Sequence, residues 1–169
     1  YTEGAQLIGF KIMGGGTGLY NPAYHFSAIG AWKAGEDYLI EDVFIYNANN
    51  YGIELGGQFH ATFYSERVSI FKCGIGAYGV IGGAHMQVHM GSFDDNGDVF
   101  HVRPDSQGSI GNGTVIKVYG IKFETGKTDA RPYSRGQQLL DAENVWVKLD
   151  VYGFAYSKVN SMPHSLIRY

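Results

Sequence analysis

The stretch that decides the fold reads Tyr38-Leu39-Ile40-Glu41-Asp42-Val43-Phe44-Ile45-Tyr46-Asn47, and the chain repeats its pattern twice more. The second copy covers residues 64–71 and the third covers residues 141–148. Each copy contains Glu, a polar residue, Val, any residue, and then Ile or Val, and each is followed by Tyr, Gly and an apolar residue. Two phrases that recur in the same order predict a repeat architecture.

Apolar and polar positions alternate within these copies. Val43 and Ile45 fall on one side, and Phe44 and Tyr46 fall on the other, so the period of two predicts strands. A second apolar run follows in each repeat, which makes room for two or three short strands. We align six repeats on their first inward-facing apolar residue, and these anchors are Phe10, Val43, Val68, Val88, Ile121 and Val145.

One repeat cannot bury its own apolar face, whereas a stack of repeats can. We therefore predict an all-β fold, a right-handed parallel β-helix (a solenoid) of about six rungs that covers residues 1–169 as one segment. Three stretches, at about residues 13–32, 103–113 and 125–136, are predicted to be loops inserted between strands. Repeat-like sequence already begins at residue 7 and no polar cap is evident, so we expect a segment of a longer chain.

Composition excludes several classes of protein. The balance of 13 Lys and Arg against 16 Asp and Glu gives a formal charge of -3, which predicts no nucleic-acid partner. No apolar run is long enough to span a bilayer, so we predict no membrane insertion. The single cysteine, Cys73, excludes an internal disulfide.

The repeated Glu-x-Val-x-Ile/Val and Tyr-Gly-apolar phrases, with irregular repeat lengths and many aromatics, resemble the pectin-lyase-like superfamily. Within that superfamily the chain is most similar to bacteriophage tailspike and polysaccharide depolymerase proteins. The resemblance implies a bacterial surface polysaccharide as partner, a homotrimer, and a location in the phage tail of a virion or otherwise outside the cell. It carries over no catalytic residue, because these families share no universal catalytic motif.

Carboxylates are the candidates for chemistry, because hydrolysis of a glycosidic bond needs one acid and one base or nucleophile. The candidates are Asp94, Asp95, Asp98 and Glu66. The three aspartates also suit a plain turn between strands. Glu66 shares a predicted column with Glu41 and Glu143, where like charges raise a pKa, although these residues also suit a solvated rim. The acidic turn lacks the glycine and glutamate positions of a calcium loop, so we predict no metal site and no cofactor.

Aromatic side chains are predicted to form an outward strip next to the anchors. The candidates for carbohydrate binding are Phe44, Tyr46, Phe71, His89 and Trp146. Aromatic faces stack on sugar rings, but a subunit interface is enriched in the same residues. The sequence therefore predicts binding and hydrolytic cleavage of a host polysaccharide. A non-catalytic receptor-binding or structural β-helix and a cellular polysaccharide lyase are the alternatives.

Overall fold

A computed structural model of the protein describes residues 5–13, 27–32, 37–56, 62–104, 113–125, 138–143, 145–158 and 167–168. Sixteen strands lie in these ranges: β1 (Ala5–Ile8), β2 (Lys11–Met13), β3 (Ile29–Trp32), β4 (Tyr38–Glu41), β5 (Phe44–Tyr46), β6 (Tyr51–Gly56), β7 (Thr62–Glu66), β8 (Ser69–Phe71), β9 (Gly76–Ile81), β10 (His85–His89), β11 (Ser92–Asp94), β12 (Asp98–Arg103), β13 (Thr114–Thr125), β14 (Gln138–Ala142), β15 (Val147–Lys158) and β16 (Ile167–Arg168). No helix in the described part of the chain is long and apolar enough to cross a membrane.

The strands form two sheets in which every pairing is parallel. The larger sheet has the order β1-β4-β7-β10-β13-β11-β8-β5-β2, with β15 paired to β13, and the smaller has the order β16-β14-β12-β9-β6-β3. Each strand from β1 to β10 thus pairs with the strand three places later in the chain. The prediction of an all-β chain built from parallel strands is confirmed.

A row of left-handed residues divides the larger sheet into two halves. The row holds Gly9, Asp42, Arg67, Met90, Gly120 and Gly153, with φ between 49° and 92°. Backbone hydrogen bonds tie the row together, for example Asp42 N to Glu66 O at 3.1 Å and Met90 N to Tyr119 O at 2.9 Å. Glycine adopts this conformation without strain, and it occupies the first position and the last two positions of the row. The three side-chain-bearing members are held by their neighbours in the sheet.

Inward-facing side chains stack in register to build one core. Ile45, Ile70, Phe93 and Phe123 are register neighbours on four successive strands, and none of them is exposed to solvent. In the smaller sheet the Tyr78 ring stacks on Phe100 with centroids 5.4 Å apart. Buried residues from both sheets belong to a single cluster, so the two sheets share one hydrophobic core.

The register differs from the predicted alignment at two anchors. Val43 and Val68 share a row, but the next residue in that row is Gly91, because Ser92 N donates to Val68 O. Val88 instead pairs with Ser65 and Val118. A Cβ on Gly91 would lie 2.3 Å from the Phe93 ring, so the larger phenylalanine fills the space that valine fills elsewhere.

The third copy of the repeat is also placed differently from the alignment. Val145 precedes β15, and the true register partner of Ile121 is Phe154. Glu143 follows β14 in the smaller sheet, so it does not share a column with Glu41 and Glu66. Residues 29–32 form β3 rather than part of a loop. Most residues of the three predicted loops lie outside the described ranges.

Candidate functional site

The second half of the larger sheet, made by β2, β5, β8, β11 and the end of β13, presents two rows of side chains away from the core. We call this surface the outer face. Its first row is Lys11, Phe44, Ser69, Ser92 and Lys122, and its second row is Met13, Tyr46, Phe71, Asp94 and Glu124. Both rows flank the buried column through Ile45 and Phe93, so alternation along each strand sends them outward.

Three of the predicted carbohydrate-binding residues meet on this face. Phe44 lies 5.3 Å from Phe71 in an edge-to-face arrangement and 6.5 Å from Tyr46 in a stacked one, measured between ring centroids. Lys11 Nζ lies 5.3 Å from the centroid of the Phe44 ring, and Lys72 Nζ lies 5.2 Å from that of Tyr46. The result is a partly exposed aromatic patch edged by two cations, which suits a ring-shaped polar ligand.

Two carboxylates continue the same row. Asp94 is the register partner of Phe71 on one side and of Glu124 on the other. Neighbouring parallel strands lie about 4.8 Å apart, so the two acidic side chains project side by side. Lys122 Nζ lies 3.5 Å from Glu124 Oε2, so a cation lies beside the carboxylate pair. Glu124 and Lys122 were not among the sequence candidates.

Asp94 differs electrostatically from an ordinary surface aspartate. Partial burial raises the pKa of Asp94, and the charges of Glu124 and Asp95 add to the rise, while Lys122 opposes it. Its Oδ1 atom is buried and has no hydrogen-bond partner among the described residues. A carboxyl with a raised pKa and a free oxygen is suited to hold a proton and deliver it to a substrate.

The other catalytic candidates lie elsewhere. Asp95 occupies a left-handed turn position directly after β11, with φ of 58°. Asp98 begins β12 in the smaller sheet and is only 1% exposed, so a polymer in solvent cannot reach it. Glu66 ends β7 and pairs in register with His89, on the far side of the left-handed row. His89, the neighbour of Glu66, and Asp94 are five residues apart along the chain, which places Glu66 on the order of 10–15 Å from Asp94. This distance is too large for the two carboxylates to act as a catalytic pair.

The predicted aromatic strip is therefore not continuous. His89 belongs to a separate row, in which its ring lies 4.4 Å from Tyr119, and Tyr119 stacks on Tyr152 at 4.8 Å. Trp146 precedes β15 beside the start of β13, and it is 83% exposed. In the first row of the outer face Ser92 occupies the position that the alignment gave to His89.

A groove separates the outer face from the row that contains His89. It has a volume of about 580 Å³ and follows the left-handed row across successive strands. Its lining includes Arg67, Met90, Gly120 and Gly153 from that row, together with Ser92 and Lys122 from the outer face. The glycines carry no side chain, so the floor of the groove is low where Gly120 and Gly153 lie.

Arg67 lies at one end of this groove, in a cluster of ion pairs. Its guanidinium contacts Glu41, Asp42 and Glu66, and Arg67 Nε donates to Asp42 Oδ1 at 2.7 Å. This hydrogen bond holds the pKa of Asp42 below its usual value. Glu41 and Glu66 are register neighbours, so their like charges would repel without the cation between them.

The Arg67→Gln variant is therefore expected to melt at a lower temperature than the wild type, most clearly at low ionic strength. Because the folded-state pKa of Asp42 is depressed, its contribution is present above the unfolded value of 3.8 and disappears as the pH falls below it. The difference in Tm between the wild type and Arg67→Gln should therefore become smaller as the pH falls below 3.8. Thermal unfolding followed by circular dichroism measures this, with Lys148→Gln, which breaks the single Lys148–Asp150 pair, as control. Equal losses in the two variants would contradict a cooperative role for Arg67.

Searches of protein-family models, of curated proteins and of solved structures find no match to this chain. The geometry of the outer face and the groove is thus the basis for assigning a function.

Proposed function

We propose that the protein is a right-handed parallel β-helix that binds a bacterial surface polysaccharide along its outer face and hydrolyses it. The strand order supports the winding, because a chain that completes one turn every three strands pairs each strand with the third one after it. Right-handed winding follows from the hand that about 98% of parallel crossover connections share.

The observation that carries the catalytic proposal is the Asp94–Glu124 pair beside Phe71. Retaining glycosidases hold their two carboxyl groups about 5–5.5 Å apart, close to the roughly 4.8 Å that separates register partners on neighbouring strands. The two groups also lie in different surroundings. Burial raises the pKa of Asp94, whereas Glu124 lies beside the Lys122 ammonium.

In this mechanism Asp94 is the general acid and Glu124 is the nucleophile. Asp94 gives its proton to the glycosidic oxygen while a Glu124 oxygen attacks the anomeric carbon, so the carbon–oxygen bond breaks and a glycosyl ester forms. Asp94, now ionised, takes a proton from water, and that water displaces the sugar from Glu124. This second step leaves Asp94 protonated and Glu124 as a free carboxylate, as at the start, and the cycle conserves the anomeric configuration.

The aromatic patch supplies binding sites for sugar units next to the point of cleavage. The Phe71→Ala variant is expected to bind the polysaccharide about 5-fold more weakly, because the loss of one stacking ring removes on the order of 1 kcal/mol. Isothermal titration calorimetry measures the change. Trp146→Ala is the matched control, since Trp146 is a more exposed aromatic remote from the patch. A larger loss for Trp146 than for Phe71 would place the binding surface elsewhere.

The activity is tested by the release of reducing ends from a panel of capsular and O-antigen polysaccharides. The wild type is expected to release them, and Glu124→Gln is expected to lose the activity. Asp150→Asn serves as the control, because Asp150 is a carboxylate of the same sheet that pairs with Lys148 outside the site. Binding without release would favour a receptor-binding β-helix, and products with unsaturated ends would favour a lyase.

A homotrimer and a location in a phage tail or outside the cell rest on the resemblance alone. They stay predictions. Light scattering on the full chain after size-exclusion chromatography measures the number of subunits, and a mass of three chains is the expected value.

A further inference from the structure

A second polar cluster lies on the smaller sheet, on the side that faces away from the shared core. Glu54, Gly79, His101 and Asp141 are register neighbours there on β6, β9, β12 and β14. The absence of a side chain on Gly79 admits the ring of Tyr51, because a Cβ at that position would lie 2.7 Å from the ring. Tyr51 thereby reaches across two strands toward His101.

His101 is held at both of its ring nitrogens. The Tyr51 hydroxyl lies 2.7 Å from Nδ1, and Glu143 Oε1 lies 3.0 Å from Nε2. An ionised carboxylate only accepts hydrogen bonds, so Nε2 carries the proton and donates to Glu143, while Nδ1 accepts from Tyr51. The backbone N–H of Glu143 donates to Val102 O at 2.8 Å, which fixes the glutamate beside β12.

Three potential metal ligands converge at this point. His101, Asp141 and Glu143 each offer one ligand atom, and these atoms all lie within 4.8 Å of one another. Atoms that share a tetrahedral zinc ion are about 3.4 Å apart, given metal–ligand distances of about 2.0–2.2 Å. The three ligand atoms therefore lie within about 1.4 Å of the spacing that a shared zinc ion requires.

We propose that His101, Asp141 and Glu143 form a binding site for a divalent transition metal, with Zn²⁺ the best fit. One imidazole nitrogen and two carboxylate oxygens suit zinc in four-coordinate geometry, and water completes the set. The exposed Glu143 gives the ion a path from solvent, whereas His101 and Asp141 are 5% and 3% exposed and hold it against the sheet.

Tyr51 has the role of a positioning residue in this site. When the metal takes Nε2, the imidazole carries its proton on Nδ1 and donates it to the Tyr51 oxygen, so the tyrosine, which donates to Nδ1 in the metal-free protein, orients the ring in both states. Hydrogen-bonding partners of this kind typically contribute about 10–100-fold in metal affinity. The ion would also tie β12 to the end of β14, strands that are separated by the whole of β13 in the sequence. None of this depends on the polysaccharide activity.

Isothermal titration calorimetry of the chelator-treated full chain with ZnCl₂ tests the proposal. We expect one ion per chain, weaker binding of Ca²⁺, and an absorption spectrum of the Co²⁺ form that is typical of four-coordination. Glu143→Gln is expected to weaken Zn²⁺ binding by more than ~100-fold, and Tyr51→Phe by about 10–100-fold.

His85→Ala is the matched control, because His85 is an exposed histidine on β10, outside the cluster. It should bind Zn²⁺ like the wild type. Glu143 is exposed, so its variant is expected to keep the circular dichroism spectrum of the wild type even if changes at His101 impair folding. Absence of saturable binding to the wild type, or unchanged affinity in Glu143→Gln, would overturn the proposal.

Discussion

The Asp94→Asn variant is expected to lose about 10²–10⁴-fold in the rate of polysaccharide cleavage while its affinity for the polymer stays nearly unchanged. An amide occupies the same volume but cannot protonate the glycosidic oxygen, which removes general acid catalysis. Binding depends mainly on the aromatic patch next to Asp94, and this substitution leaves the patch intact. The release of reducing ends and calorimetric titration measure the two quantities separately.

The same variant is expected to be more stable than the wild type at pH values above the folded-state pKa of Asp94, where the wild-type side chain is ionised. Burial raises the folded-state pKa of Asp94 above 3.8. At a pH between 3.8 and that folded-state pKa, the folded protein therefore binds more protons than the unfolded chain. Stability therefore falls as the pH rises through that range, and above it the wild type carries a partly buried charge whose Oδ1 atom has no partner among the described residues. Asparagine removes the charge, so Tm should rise. A lower Tm together with full activity would show that Asp94 is a structural residue.

The Gly97→Ala variant is expected to lose about 3 kcal/mol or more of unfolding free energy, at or above the upper end of ordinary overpacking. A Cβ at this position would lie 2.0 Å from Ile75 O and 2.8 Å from Gly74 O. Both obstacles are backbone atoms, so a side-chain rotation cannot relieve the clash. The hydrogen bonds from Gly97 N to Cys73 O and from Asp98 N to Ile75 O hold these turns in contact.

Urea denaturation measures this effect, and Gly120→Ala provides the comparison. Gly120 has no atoms near the place of a Cβ, but its φ is 64°, so alanine there is strained without a clash. Its loss should be about 1–2 kcal/mol. Equal losses at the two positions would mean that the turns do not stack as tightly as the register indicates.

The sequence predicts the strand period and the parallel class because alternation and repeated phrases are local. The first two copies are in register as written, since Glu41 pairs with Glu66 and Ile45 with Ile70. The alignment is wrong in the fourth repeat because Phe93 fills the space of an anchor and leaves Gly91 in the row. Such a volume exchange between two positions of one repeat changes the pattern of residues while it preserves the packing.

The candidate site on the outer face could be predicted only in part, because some of its residues come together only through strand pairing. Asp94 and the aromatic residues of β5 and β8 carry signals in their own strands, but Glu124 lies thirty residues after Asp94 and becomes its neighbour only through the pairing of β11 with β13. The segments Gly91-Ser92-Phe93-Asp94 and Ile121-Lys122-Phe123-Glu124 are equivalent in the two repeats, and each ends in a carboxylate. The residues of the proposed metal site are likewise brought together only by the pairing of β12 with β14, which the sequence pattern does not show.

The most direct test of the central claim is a ¹H NMR time course of a polysaccharide that the protein binds, with wild type and Asp94→Asn side by side. The Asp94–Glu124 pair predicts cleavage by the wild type, a first-formed product with the anomeric configuration of the substrate, and little or no product with Asp94→Asn. A bound polysaccharide that stays intact with the wild type, or a product of inverted configuration, would contradict the assignment of these two carboxylates.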